Sequence, residues 1–220
     1  RSADWGMMGE EELFLRVACD LAEGQTCEFT FEYTLLLTQN AASLGVGAMG
    51  WRLRGFYIQP LKYEYGEFVT PAPLQHANYV YADRADYALT VTLPERYLLA
   101  GPGEITSVDN GDGTRTWTLT AKNIRELCLS FGMRWREYSA ETSSGTRLRL
   151  LANTRDAQKT LDMALETLEV YENWFGPLDG DVTIAQSDYA LGTISLPGII
   201  WANEAALSDA MALRGALARQ

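Results

Sequence analysis

The spacing of apolar residues changes about two thirds of the way along the chain, and that change limits the fold more than any other feature. Up to about residue 143 the apolar positions recur every second residue. Phe29, Phe31, Tyr33 and Leu35 alternate with Glu28, Thr30, Glu32 and Thr34 within Cys27 to Leu37. Tyr87, Leu89, Val91 and Leu93 alternate with Ala88, Thr90 and Thr92 ahead of Pro94. Alternation of this kind, rich in aromatic and β-branched residues, predicts half-buried strands. Further on, Ala157, Leu161, Ala164, Leu165, Leu168, Tyr171 and Phe175 recur at three- and four-residue spacing. They share one stripe of a helix, which Gly176 and Pro177 end. At about 1.5 Å per residue that helix spans roughly 30 Å.

Further strands are predicted at Leu13 to Val17, Trp51 to Pro60, Leu127 to Phe131, Met133 to Tyr138, Arg147 to Leu151, Val182 to Ala185 and Ile199 to Trp201. Glu104 to Val108 and Arg115 to Thr120 flank the turn Asp109-Asn110-Gly111-Asp112-Gly113, which predicts a hairpin because Asn and Gly tolerate positive φ. Its acidic residues lack the alternating ligands and the closing glutamate of an EF-hand, so the segment reads as a turn. Asn153 or Thr154 is placed to cap the long helix. The Ala- and Leu-rich stretch from Asn203 to the end reads as another helix. Polar punctuation at Thr142-Ser143-Ser144-Gly145 suggests two domains, 1–143 and 144–220.

Composition excludes several function classes. The net charge is -11, which disfavours binding to nucleic acid or to an anionic membrane surface. No apolar run reaches the ~18 residues of a membrane helix, so no membrane insertion is expected. The chain begins Arg1-Ser2-Ala3, which reads as a cut or mature fragment without a signal peptide, and its localisation is not written in the residues. Cys19, Cys27 and Cys128 form no tight spacing and read as buried thiols, although Cys19 and Cys27 could pair across neighbouring strands. The glycines of Asn40 to Gly50 lack the Lys-Ser/Thr that a P-loop needs. No GxSxG elbow is present, and nothing in the sequence brings two acids together as a glycosidase requires. The aromatics Trp51, Phe56, Tyr57, Tyr63 and Tyr65 read as core, with a ligand-binding surface as the other option.

Three segments carry a family resemblance. Gly55 to Pro71 (GFYIQPLKYEYGEFVTP), Asp86 to Ile105 (DYALTVTLPERYLLAGPGEI) and the helix end Tyr171 to Leu178 (YENWFGPL) occur in the order seen in the aminopeptidase N family of gluzincin zinc metallopeptidases. The chain resembles that family from about Glu28 onward. The resemblance implies a saddle-like antiparallel β-domain followed by the strand-helix-strand start of a thermolysin-like catalytic domain. It also implies a parent activity of peptide-bond hydrolysis by zinc-activated water.

The chain departs from the family at two places. Where many members carry a GxMEN or GGMEYPG element, whose backbone pairs with substrate and whose Glu holds the free α-amine, this chain reads Gly192-Thr193-Ile194-Ser195-Leu196-Pro197-Gly198. Ser195 stands at the Glu position, and a hydroxyl cannot make the charge-assisted bond a carboxylate gives an ammonium group. The segment reads either as a plain turn or as an altered substrate strand, with Gly192, Thr193, Ile194 and Ser195 as candidate substrate-binding residues. The second departure is the zinc site, which needs HExxH on one helix face. The chain has one His, His76 in PAPLQHANY, which reads as a surface or half-buried residue. Arg219-Gln220 falls about where the His-Glu pair would begin, or Gly215 to Gln220 overlays the motif.

No catalytic residue, metal ligand or cofactor is therefore expected in this chain. Zinc would enter only if the parent protein carries HExxH beyond Gln220. The implied role is a non-catalytic portion of such a peptidase, inactive alone, that supplies scaffold and part of a peptide cleft. The alternative is a catalytically silent binding module on the same scaffold. A peptide substrate is the expected partner. Self-association is also expected if the helix stripe has lost its covering.

Overall fold

The fold is that of a computed structural model describing residues 5–8, 14–40, 42–69 and 81–220. It divides into two compact units, Arg1–Leu35 and Leu36–Gln220.

In the first unit, β1 (Trp5–Met8) and β2 (Phe14–Val17) form an antiparallel pair with Trp5 opposite Val17. The strand expected over Cys27 to Leu37 does not form. Phe29 stacks on Phe31 at 6.4 Å, yet both rings stay substantially exposed, at 44% and 40%. Alternation becomes a strand only when a neighbouring edge supplies ladder bonds, and among the described residues no strand pairs with this stretch.

The second unit is mainly β, with several antiparallel sheets and a few helices. Its strands are β3 (Gly45–Gly47), β4 (Gly50–Leu53), β5 (Tyr63–Glu64), β6 (Glu67–Phe68), β7 (Ala85–Pro94), β8 (Leu98–Ala100), β9 (Glu104–Asp109), β10 (Thr114–Ile124), β11 (Leu129–Gly132), β12 (Arg136–Glu141) and β13 (Arg147–Ala152). After α1 (Ala157–Phe175) come β14 (Val182–Gln186), β15 (Thr193–Leu196), β16 (Ile199–Ala202), α2 (Glu204–Ser208) and α3 (Ala210–Leu217).

β7, β10 and β9 form one antiparallel sheet, with the β9–β10 hairpin turning at the expected Asp-Asn-Gly-Asp-Gly. There Asp109 accepts the Gly111 N–H at 2.8 Å and Asp112 accepts the Thr114 N–H at 2.9 Å, so both carboxylates hold the turn. Tyr87, Leu89, Val91 and Leu93 pack against a core of Leu53, Leu99, Trp117, Leu119, Leu129 and Phe131. Those residues come from this sheet and from the four-stranded sheet β3-β4-β11-β8. The strand expected over Trp51 to Pro60 stops at Leu53, where the chain bends.

The five-stranded sheet runs β12-β13-β14-β16-β15. β13, β14 and β16 are parallel neighbours, and the edge strands β12 and β15 are antiparallel to theirs. A parallel pair needs a crossover, and α1 supplies it between β13 and β14. Both faces of the sheet are covered. One packs on α1, α2 and α3 through Leu148, Leu150, Ile184 and Ile200. The other packs Leu151, Ala185, Ile194 and Trp201 against Trp135 and Cys128. Burial on both faces explains the unbroken apolar run of β16. Thr142 to Gly145 form the turn of the β12–β13 hairpin, with Gly145 N–H donating to Thr142 O at 3.0 Å.

Three local expectations differ from what forms. Asp156, not Asn153 or Thr154, caps α1, and it makes no side-chain cap bond. The C-terminal helix is two helices, broken at Asp209, whose carboxylate accepts the Met211 N–H at 2.9 Å and starts α3. The apolar stripe of α1 is covered by the sheet and α3, except at its end, where Trp174 and Phe175 are 72% and 82% exposed. A lost covering is thus no ground for self-association over most of the stripe. The inward position of the last turn is held by Glu172 instead.

Candidate functional site

β15 is the edge of the five-stranded sheet, and all four candidate residues lie on it or immediately before it. Pro197-Gly198 is a two-residue loop, so Leu196 and Ile199 close the hairpin. Antiparallel pairing alternates, which makes Ile194 with Trp201 the next hydrogen-bonded pair and Gly192 with Asn203 the one after. The last is seen directly, with Asn203 N–H donating to Gly192 O at 2.8 Å. Thr193 and Ser195 therefore turn their main-chain groups to the other side. The Thr193 N–H is taken by Leu191 O at 3.1 Å. The Thr193 carbonyl and the Ser195 N–H and carbonyl remain, and among the described residues no strand pairs with that side. The segment is therefore a strand with a tight turn after it, not a plain turn.

The side chains are committed inward. Ile194 and Leu196 are buried on the face that carries Trp201. Ser195 points to the helical face, and its hydroxyl donates to Ala216 O in α3 at 2.7 Å. α3 thus packs along β15.

Beside this strand lies an open cleft of about 640 Å³, lined by Gln186, Ser187, Asp188, Tyr189, Asn203 and Glu204 among others. It sits where β14 and β16 end, the place where open α/β sheets gather ligand groups. Most of its polar side chains already serve the fold. Gln186 accepts the Asn153 N–H at 2.6 Å, and Asn203 caps α2 by accepting the Ala206 N–H at 2.9 Å. Asp188 accepts the Met49 N–H at 2.7 Å and lies 3.8 Å from Arg52.

Arg52 is 1% exposed and donates from Nε to Ala42 O at 2.7 Å and from Nη2 to Asn40 O. Burial pulls its pKa down and Asp188 opposes the shift. A Cβ on Gly47 would meet Asp188 Oδ2 at 2.2 Å, so this approach requires glycine. The glycine-dense run Asn40 to Gly50 was the one sequence signal for this contact, and it reads equally well as a loop.

Zinc does not fit the residues at the place of the expected motif. The end of α3 and the residues after it, Gly215 to Gln220, offer neither imidazole nor carboxylate. Among the described residues no group of three or more His, Cys, Asp or Glu is placed to hold a metal ion. His76 lies outside the described residues.

The thiols divide. Cys128 is buried, as expected, and burial pushes its pKa well up. Cys19 and Cys27 are exposed, contrary to the expectation of buried thiols, and their sulfurs are 3.3 Å apart.

No protein-family model matches this chain, and no curated protein matches it.

Proposed function

We propose that this chain is the non-catalytic, peptide-binding part of an aminopeptidase N-like framework, with β15 as the strand that receives an extended peptide. The observation that carries the reading is the outward-facing edge of β15 beside α3. An extended peptide adds to such an edge by main-chain bonds to Thr193 O, Ser195 N–H and Ser195 O. Two features support the finer fold assignment. One is the mixed sheet with an antiparallel edge strand and a crossover helix, as the start of a thermolysin-like domain would require. The other is the antiparallel β-structure that precedes it, where a saddle-like domain would lie. The parent activity on this reading is peptide-bond hydrolysis, with the metal chemistry supplied by residues other than those of this chain.

A second reading, a catalytically silent binding module, is favoured by one specific contact. Ser195 stands at the position of the amine-binding Glu, and its hydroxyl is spent on Ala216. An edge that pairs with peptide but holds no α-amine would bind internal segments as well as free N-termini.

The test uses labelled extended peptides with free and acetylated N-termini, measured by fluorescence anisotropy. Ser195→Pro removes the outward N–H while sparing the ladder to β16, a substitution edge strands accommodate. Ser195→Ala keeps that N–H and loses only the hydroxyl. Binding lost in Ser195→Pro and kept in Ser195→Ala is the expected result. Equal binding by both variants would overturn the edge assignment. A strong preference for free N-termini would overturn the second reading.

A further inference from the structure

We infer that Cys19 and Cys27 form a redox-modifiable pair, a dithiol that a low-molecular-weight disulfide converts to an intramolecular disulfide. This inference does not depend on the peptide-binding reading.

Three observations carry it. First, the chain reverses between the two residues. Gln25 N–H donates to Ala22 O at 3.0 Å, and Ala22 N–H donates to the Gln25 side chain at 3.2 Å. That turn returns Cys27 to Cys19, and the Cys19 thiol donates to Cys27 Sγ across 3.3 Å. A disulfide needs the sulfurs at about 2.05 Å, so side-chain rotation has roughly 1.3 Å to close. Second, both residues are exposed, which gives a small reagent access and leaves the side chains room to turn. Third, the remaining cysteine cannot compete. Cys128 is 0% exposed, and buried structural thiols are inert.

The chemistry balances without a further reactant. One cysteine thiolate attacks a sulfur of the small disulfide, breaks its S–S bond and expels one thiolate. The second cysteine thiolate attacks the protein sulfur of that mixed disulfide, forms the Cys19–Cys27 bond and expels the other thiolate. Two cysteines are oxidised, the small disulfide is reduced to two thiols, and the two protons lost by the protein end on them. The second step is intramolecular between atoms already in contact, so it outruns capture of another small molecule. The product ties the chain just after β2 to the strandless stretch that begins at Cys27. It closes the loop that holds the Glu23-Gly24 turn. Asp20 adjoins Cys19, so a cationic disulfide approaches more readily than an anionic one.

The full chain, reduced and then treated with cystamine, tests this by intact mass and peptide mapping. The expected product has lost two hydrogen atoms, carries no cysteamine, and maps to a Cys19–Cys27 link. Cys27→Ser removes the resolving thiol, and its expected product retains one cysteamine on Cys19. A wild-type chain that keeps cysteamine on either residue, a covalent dimer, or a Cys27→Ser chain that takes up none would overturn the inference.

Discussion

The Ser195 hydroxyl donates to the Ala216 carbonyl at 2.7 Å, which fastens the edge strand β15 to the last turn of α3. The carbonyls of a helix's last turn have no partner within the helix. The Ala216 carbonyl accepts the Arg219 N–H at 3.2 Å just past the helix, and the Ser195 hydroxyl from the sheet adds a second donor to it. The same bond explains why a small hydroxyl suits this position, since a longer acidic side chain would bring negative charge to the negative end of a helix dipole.

Ser195→Ala should therefore lower stability by about 1 kcal/mol, the net value of one such hydrogen bond. Ser195→Glu should cost more, about 1–3 kcal/mol, because an acceptor then faces an acceptor in a half-buried place. Urea unfolding of the two variants checks the order. A Ser195→Glu chain as stable as the parent would show that the hydroxyl contact contributes nothing.

Glu172 makes the stability of the chain depend on acid. Burial pushes its carboxyl pKa up, but hydrogen bonds from the Ser144, Thr146 and Thr142 hydroxyls and the Leu178 N–H outweigh burial and hold it below its ordinary value of 4.5. A carboxylate near a helix C-terminus gains nothing from the dipole, so its partners in the β12–β13 turn account for its place. A group whose pKa is depressed by folding contributes stability above its unfolded value and loses it as pH falls through the folded value. Stability should thus be level above about pH 4.5 on account of this group and decline below it. Glu172→Gln should flatten that acid limb and lower neutral-pH stability by about 1–3 kcal/mol, as the turn hydroxyls lose a charged acceptor. Urea titrations from neutral to acid pH measure both effects. An unchanged acid limb in the variant would remove Glu172 from the account.

The sequence made much of the second unit legible because periodicity reports the faces of elements that find partners. The β7 alternation, the Asp-Asn-Gly-Asp-Gly hairpin and the α1 stripe as far as Leu168 all appear as read. Cys27 to Leu37 has equally good alternation and forms no strand, because periodicity does not report whether an edge is available. Phe175 fits the α1 spacing, yet it lies exposed beside Trp174 while Glu172 takes the inward place. Spacing places a residue on a stripe but does not say how far the covering elements extend. The candidate segment Gly192 to Ser195 read equally as a plain turn or as an altered strand, and only the structure makes Thr193–Leu196 a strand. The partner of Ser195 was not, since Ala216 contributes only a backbone carbonyl and no side-chain signal. Likewise nothing in the residues around Asp188 pointed to Arg52, well over a hundred positions earlier.

That distant pairing is open to a direct test. Asp188 reaches from the β14–β15 loop to the Met49 N–H in the β3–β4 turn at 2.7 Å, and it is the carboxylate nearest the buried Arg52 at 3.8 Å. One Arg52 nitrogen, Nη1, is buried without a hydrogen-bond partner, which makes the nearby charge its main compensation. Asp188→Ala should cost about 1–3 kcal/mol, less than breaking a fully buried pair because Asp188 is itself partly exposed. Gly47→Ala should give a similar loss by a different route, since the added methyl displaces the carboxylate it would strike. Because both changes remove the same contact, the double variant should fall well short of the sum of the singles, which a double-mutant cycle in urea reads directly. Full additivity would mean that Gly47 and Asp188 act independently and that the contact between the two sheets contributes no stability of its own.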